Sequence, residues 1–392
     1  MAGGRWRYRH TVLGLFVLAY FGVRFVEFAL SVVFADLKSS LGISSFVVGL
    51  AVAASTVTYA VAQLPSGALG DRFGERAVVL ASLGLTGAAS ALIALSPSGG
   101  FLVLGMALVG LVSGTYYSPA TSLLADLFEG TGRAIGVHKL GAQAVGLTGP
   151  VVGFVAAGFG WRVAVLLGAA VALPAFVGVR FAVDSRPSPD PGTSVRDRVR
   201  PSELTDLLSR PPVAFTTVVA GFAQFVDTAA FSFLPLVLAE YHDLSSTVAG
   251  ALFSVYFVAV AVAQPTSGWL SDRLGRDPVA AAALLVAVAG FWSLLAADGL
   301  PVVTVAVVLV GFGMGWGPPV QSRFFDHLDA DERGVGFGLV RTAYIGFAAL
   351  NGVVVGGAAT VAGWRVGVGV LVVASALPAV ALVANRALGI GL

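Results

Sequence analysis

The stretch Gln63-Leu64-Pro65-Ser66-Gly67-Ala68-Leu69-Gly70-Asp71-Arg72-Phe73-Gly74 returns in the second half of the chain as Gln264-Pro265-Thr266-Ser267-Gly268-Trp269-Leu270-Ser271-Asp272-Arg273-Leu274-Gly275. The offset is near 200 residues, and other unusual features share it. Gly160-Trp161-Arg162 falls on Gly363-Trp364-Arg365, Arg133 on Arg333, and Phe25-Val26-Glu27 on Phe225-Val226-Asp227. Agreement at one low-complexity site arises easily by chance. Agreement at several sites with one nearly constant offset does not, so the chain reads as two homologous halves.

The surroundings of these motifs are apolar. Hydrophobic residues make up 57% of the 392 residues, with 50 glycines besides, and only 11% are charged; soluble domains carry about 25% charged residues. So little polar surface excludes a soluble globular protein, a disordered chain and a nucleic-acid binder, and leaves lipid as the main solvent. A membrane span needs about 20 apolar residues. Apolar runs fall at 11–35, 45–70, 76–96, 100–126, 133–159, 161–183, 213–239, 246–271, 278–297, 301–325, 334–361 and 364–385. They are continuous, without the alternation of barrel strands, which predicts an all-α membrane protein of twelve transmembrane helices. Six is an even number, so the halves run parallel and form two pseudo-symmetric six-helix bundles.

The first run follows Arg5, Arg7 and Arg9 but is too long for a signal peptide and lacks a cleavage site, so it is expected to stay as a helix. A polar stretch rich in proline and arginine separates residues 1–183 from 213–392 and reads as a cytoplasmic linker over 184–212, with a short interfacial helix near Ser202–Ser209. Orientation follows from the basic residues. Of 23, seventeen lie at the N-terminus, in loops after even-numbered spans or at the C-terminus; Lys38, Arg162 and Arg365 lie on the other side, and Arg24, Lys139 and Arg341 within spans. That asymmetry places both termini in the cytoplasm of a multi-pass protein of the cell inner membrane. Cysteine is absent, which removes disulfides, thiolate metal sites and cysteine nucleophiles.

Gly67-x-Leu69-x-Asp71-Arg72-x-Gly74-x-Arg76 resembles the signature loop of the major facilitator superfamily of secondary transporters, and Gly268-x-Leu270-x-Asp272-Arg273-x-Gly275-Arg276 resembles its second-half copy. The resemblance covers essentially the whole chain. It implies two six-helix bundles and a gating role for Gly67, Asp71, Arg72, Gly74, Arg76, Gly268, Asp272, Arg273 and Gly275. Glu75 departs from the pattern, standing where the family often has a basic residue. Physically, Asp71 and Asp272 sit at helix ends where a carboxylate can meet a helix N-terminus or a nearby arginine.

Charges within spans cost about 2.5–3.5 kcal/mol on insertion scales, so they point to function. Tyr20, Arg24 and Glu27 stack on one face of the first span at spacings i, i+4 and i+7. Two readings of them stand: an ion pair that only positions the helix, or an arginine that binds an anion while Glu27 exchanges a proton. Asp227 holds the repeat position of Glu27, and Gln224 that of Arg24. Glu27 and Asp227 are therefore the proton-coupling candidates; Arg24, Tyr20, Lys139, Gln143, Gln224, Arg341 and Tyr344 are the substrate-binding ones. His138 and His10 support neither a catalytic nor a metal role.

Gly146-Leu147-Thr148-Gly149-Pro150-Val151-Val152-Gly153 in the fifth span allows bending and is similar to a motif of the family's drug/proton antiporters. Tyr20-x-x-x-Arg24 with Tyr59-x-x-x-Gln63-x-Pro65-x-Gly67 is instead similar to its organic-anion symporters. No P-loop, metal-ligand cluster or nucleophile with a base is present, so no enzyme, cofactor or metal site is expected. The leading expectation is a proton-coupled symporter of a small organic anion, acting by alternating access as a monomer. The alternatives are a proton-driven exporter of drugs or metabolites and a non-transporting nutrient sensor.

Overall fold

Four of the repeated glycines adopt a backbone that no other residue accepts comfortably. Gly74 (φ 84°, ψ 135°) and Gly275 (φ 98°, ψ 160°) each end one helix and begin the next, and Gly160 (φ 87°, ψ 156°) and Gly363 (φ 80°, ψ 170°) do the same. A positive φ with ψ near 150° is almost closed to residues with a Cβ. The repeated motifs thus encode one-residue reversals between neighbouring spans. Replacing Gly275 by alanine is expected to cost about 1–3 kcal/mol. Thermal unfolding of the purified protein would read this as a lowered midpoint, with Gly338→Ala, whose added methyl meets nothing within 4 Å, unchanged.

The computed structural model describes residues 2–128, 131–185, 201–328 and 335–392. Arg333 and four arginines of the expected linker, Arg186, Arg196, Arg198 and Arg200, lie outside them, as does the side chain of Arg133. The described chain is helical, and twelve of its spans are long and apolar enough to cross a membrane. The first six spans are α1 (Ala2–Leu41), α2 (Ser45–Phe73), α3 (Glu75–Ala94), α4 (Gly99–Leu127), the pair α5 (Thr131–Ala144) and α6 (Gly149–Phe159), and α7 (Trp161–Ala182). A short helix α8 (Pro201–Leu208) precedes the second six. These are α9 (Pro211–Glu240), α10 (Ser246–Leu274), α11 (Arg276–Ala296), the pair α12 (Leu300–Gly313) and α13 (Gly317–His327), the pair α14 (Val335–Ala348) and α15 (Leu350–Ala362), and α16 (Trp364–Leu388).

The paired helices mark where a span breaks. A 3-10 turn over Val145–Thr148 interrupts the fifth span, with Pro150 starting the next α-turn, and another over Met314–Trp316 interrupts the tenth ahead of Pro318. Proline lacks the N–H that would continue the ladder, so the break falls just before it. The Gly146–Gly153 stretch, expected to allow bending, holds most of this first 3-10 turn.

The chain divides into two units: residues 1–43 with 54–199, and residues 44–53 with 200–392. In the first, α1 packs on α4, α5 and α7 through a row of buried side chains at helical spacing, Val12, Phe16, Ala19 and Val23, which meets Val79 and Leu83 of α3, Leu123 and Leu124 of α4 and Val179 of α7. In the second, α11 packs on α12 and α16, and α9 on α14 and α16. The helix expected near Ser202–Ser209 is α8; it lies against α9 and α14 and buries Leu207.

The N-terminal end of α2, residues 45–53, groups with the second unit. Gly49 lies directly on Gly352 of α15: a Cβ built at Gly49 would stand 1.8 Å from the Gly352 carbonyl oxygen. The Phe46 amide donates to the Thr360 hydroxyl at 2.7 Å beside this contact. Small residues let helix backbones approach where no aqueous hydrophobic force drives them together.

Candidate functional site

Arg24 lies well inside the first span, near the middle of the apolar run 11–35. Around it Val23, Phe25, Val26 and Phe28 turn into the helix packing and are buried. Tyr20, Arg24 and Glu27 form the half-buried row of the helix. Arg24 Nη1 donates to Glu27 Oε2, with side-chain exposures of 28% and 12%. The hydroxyl of Ser55, on α2, donates to the other carboxylate oxygen at 3.1 Å.

An aromatic group fixes the start of this row. The Tyr20 ring stacks on His138 at 4.8 Å and 18°, and on Tyr116 at 5.5 Å and 21°. The Tyr116 hydroxyl donates to the Phe16 carbonyl at 3.0 Å and lies 3.1 Å from His138 Nε2. With its proton on Phe16, the tyrosine oxygen accepts from the imidazole N–H. Tyr116 and His138 are both fully buried, so the histidine orders the rings and is not presented to solvent. Lys139 is exposed, its Nζ 5.9 Å from the Tyr117 ring centre, and Gln143 is exposed one turn further along. Gln63 Nε2 donates to the Tyr59 hydroxyl at 2.8 Å, so that pair of the α2 motif is joined.

The second unit repeats the acid with different company. Asp227 is half-buried on α9, and Gln224, one turn earlier, donates to Thr228 at 3.2 Å. Buried Tyr256 of α10 lies within electrostatic range of Asp227. Tyr256 follows Ser55 by 201 residues and Asp227 follows Glu27 by 200, so the two acids and the two hydroxyl-bearing residues hold matching places in the repeat. Arg341 is half-buried on α14, and Tyr344 is packed inside the unit with its ring stacked on Phe324 at 6.2 Å and 17°.

At the second signature loop one basic residue joins two carboxylates. Arg276 bridges Asp272 at 2.5 Å and Asp326 at 3.3 Å, and Arg273 lies over the Trp269 ring at 3.9 Å. In the first half Arg72 lies over Phe73 at 5.3 Å, and Arg76 donates to the Arg180 carbonyl. Glu75 does not extend the loop's charges into water. It is 6% exposed and accepts from Ser122 of α4 at 3.3 Å. In the second half the half-buried Asp277 is met by Arg323 at 2.7 Å. Arg323, read from sequence as one more basic residue at a cytoplasmic end, is only 4% exposed and also donates to Thr216.

Two contacts escaped the sequence reading. Ser55 is one serine among many in apolar helices, and its meeting with Glu27 is 28 residues away along the chain. The Arg323–Asp277 pair spans 46 residues.

The sequence profile described as Major Facilitator Superfamily matches residues 16–243 and again 213–387. The chain belongs to that superfamily. Among superfamily relatives it is 26% identical over 232 residues to the multidrug resistance protein MdtG of Klebsiella pneumoniae (strain 342), covering 57% of this chain and 55% of that one. It is 27% identical over 254 residues to the probable nitrate/nitrite transporter NarK2 of Mycobacterium tuberculosis (strain CDC 1551 / Oshkosh), covering 62% of each. The matched stretch thus spans little more than half of these curated relatives. Among solved structures, a point mutant of the nucleoside transporter NupG superposes with a TM-score of 0.82 over 95% of this chain and 99% of that one at 12% identity, a likeness of fold. The superfamily's two six-helix bundles are in keeping with the twelve spans found.

Proposed function

We propose that this protein is a secondary active transporter, a proton-coupled carrier of a small organic anion that works by alternating access. The Arg24–Glu27–Ser55 group carries the reading. An arginine at mid-membrane depth whose counter-ion is a titratable carboxylate can exchange that partner for a substrate carboxylate or phosphate, provided Glu27 takes up a proton as it lets go. Anion and proton then bind together, which is the logic of symport. Asp227 is the second proton candidate; Tyr20, Lys139 and Gln143 in the first unit and Gln224, Arg341 and Tyr344 in the second are the candidate substrate contacts. Gly67, Asp71, Arg72, Gly74, Arg76, Gly268, Asp272, Arg273 and Gly275 act as the gating motif. The protein works as a monomer in the inner membrane with both termini in the cytoplasm, a reading supported by the distribution of its arginines.

The likeness to a nitrate/nitrite transporter supports an anionic substrate. The likeness to a multidrug resistance protein favours a second reading, a proton-driven exporter in which Glu27 and Asp227 attract cations. Reconstituted vesicles under an imposed pH gradient, screened with carboxylates, sugar phosphates and drug-like cations, test both. Uptake of a carboxylate or phosphate driven by the gradient is the expected result. Arg24→Lys, which keeps the charge but loses the planar fork, should lower anion uptake by at least about tenfold. Unchanged uptake in that variant would overturn the anion reading, and exclusive movement of cations would replace it with the second.

A further inference from the structure

On the second unit an apolar groove of about 630 Å³ runs between α9, α14, α15 and α16, walled by Phe222, Phe225, Phe347, Val354, Gly369 and Val373. All of these lie within membrane-crossing spans. Along α16 the lining extends from Val366 to Leu377, eleven residues or about 16 Å at the helical rise. Half of a hydrocarbon core of about 30 Å is about 15 Å, so the groove is as deep as one leaflet.

A free cation stands at its outer end. Arg365 and Gly369 are four residues apart on α16, so Arg365 continues the Gly369–Val373 row by one turn beyond the groove. It is exposed and makes no hydrogen bond or ion pair with any described residue. The repeat shows what is unusual in this. Arg162, its counterpart, donates to the Ser96 carbonyl at 3.2 Å and lies over the Trp161 ring at 4.3 Å. In the second half the tryptophan is engaged elsewhere, Trp364 Nε1 donating to Glu240 at 2.8 Å.

We infer that this groove seats one acyl chain of an anionic phospholipid whose phosphate is held by Arg365. The charge selects the headgroup, and the depth of the groove selects a single chain from one leaflet. Gly369 leaves the space open: a Cβ there meets nothing within 4 Å, so a larger side chain enters the groove without striking the backbone.

Native mass spectrometry of the full chain, purified in detergent and titrated with phosphatidylglycerol or phosphatidylcholine, tests the assignment. The unaltered protein should retain phosphatidylglycerol about fivefold better, the preference expected of one arginine at a membrane surface. Arg365→Gln should bring the ratio to about one while lipid still binds, and Arg162→Gln should leave the ratio as it was. Gly369→Phe should lower retention of both lipids, with an unchanged unfolding temperature showing that the variant folds. The inference fails if Arg365→Gln keeps the preference or if Gly369→Phe retains lipid as before. It fails equally if Gly369→Phe disrupts a dimer, because the groove then seats a second copy.

Discussion

Glu27→Gln should abolish proton-driven accumulation of substrate while leaving exchange across the membrane at equal pH. Glu27 offers one oxygen to Arg24 and the other to Ser55. Glutamine keeps the shape and can still accept one of those bonds, but it never carries the charge that Arg24 balances. The site is then locked in its proton-loaded form, and anion binding no longer waits on a proton. Per proton coupled, a difference of one pH unit is worth about 1.4 kcal/mol, or roughly tenfold accumulation. Proteoliposomes of the unaltered protein should approach that ratio and the variant should show none, with counterflow at equal pH preserved in both. Accumulation retained in Glu27→Gln but lost in Asp227→Asn would move the coupling to α9; accumulation retained in both would end the proton-coupled reading.

Gly49→Ala should destabilise the protein more than any other single methyl added to α2. The clash is with backbone and not with a side chain that can turn away: a Cβ on Gly49 would stand 1.8 Å from the Gly352 oxygen, and one on Gly352 would stand 2.1 Å from the Gly49 oxygen. Relief requires α2 and α15 to separate, at about 1–3 kcal/mol for overpacking. Gly87→Ala on α3, where nothing lies within 4 Å, should be neutral or slightly stabilising because alanine is the better helix former. The absence of native cysteine permits a direct reading of the contact. Cysteines introduced by Phe46→Cys and Thr360→Cys, whose backbone and side chain are hydrogen-bonded in the native protein, should cross-link readily, and addition of Gly49→Ala should slow that reaction several-fold. Equal cross-linking and an equal unfolding midpoint would show that the contact does not govern the packing of this end of α2.

The legible part of the molecule was what a period can report. Long apolar runs announce spans because lipid cannot satisfy a backbone that is not helical. A repeat offset announces duplication, and four of the glycines shared by the copies, Gly74, Gly160, Gly275 and Gly363, are positions of positive φ at which one span turns into the next. The Arg24–Glu27 pair was also legible, since residues three apart on a helix face one another. Ser55 and Arg323 were not, because their partners are brought by other helices and no local pattern records which helix will be the neighbour. Glu75 shows the same limit in another form. The sequence marks it as a departure from the signature, but only packing against α4 turns it inward.

The amino-acid sequence by itself determined twelve helices, a duplicated plan and the depth of the charged row on α1, because each of these depends on spacing along one chain. Tertiary structure decided that Ser55 meets Glu27, which arginine is buried and which is left free at a groove. Those outcomes depend on contacts between helices far apart in sequence, where a change of one turn in packing would bring different partners together.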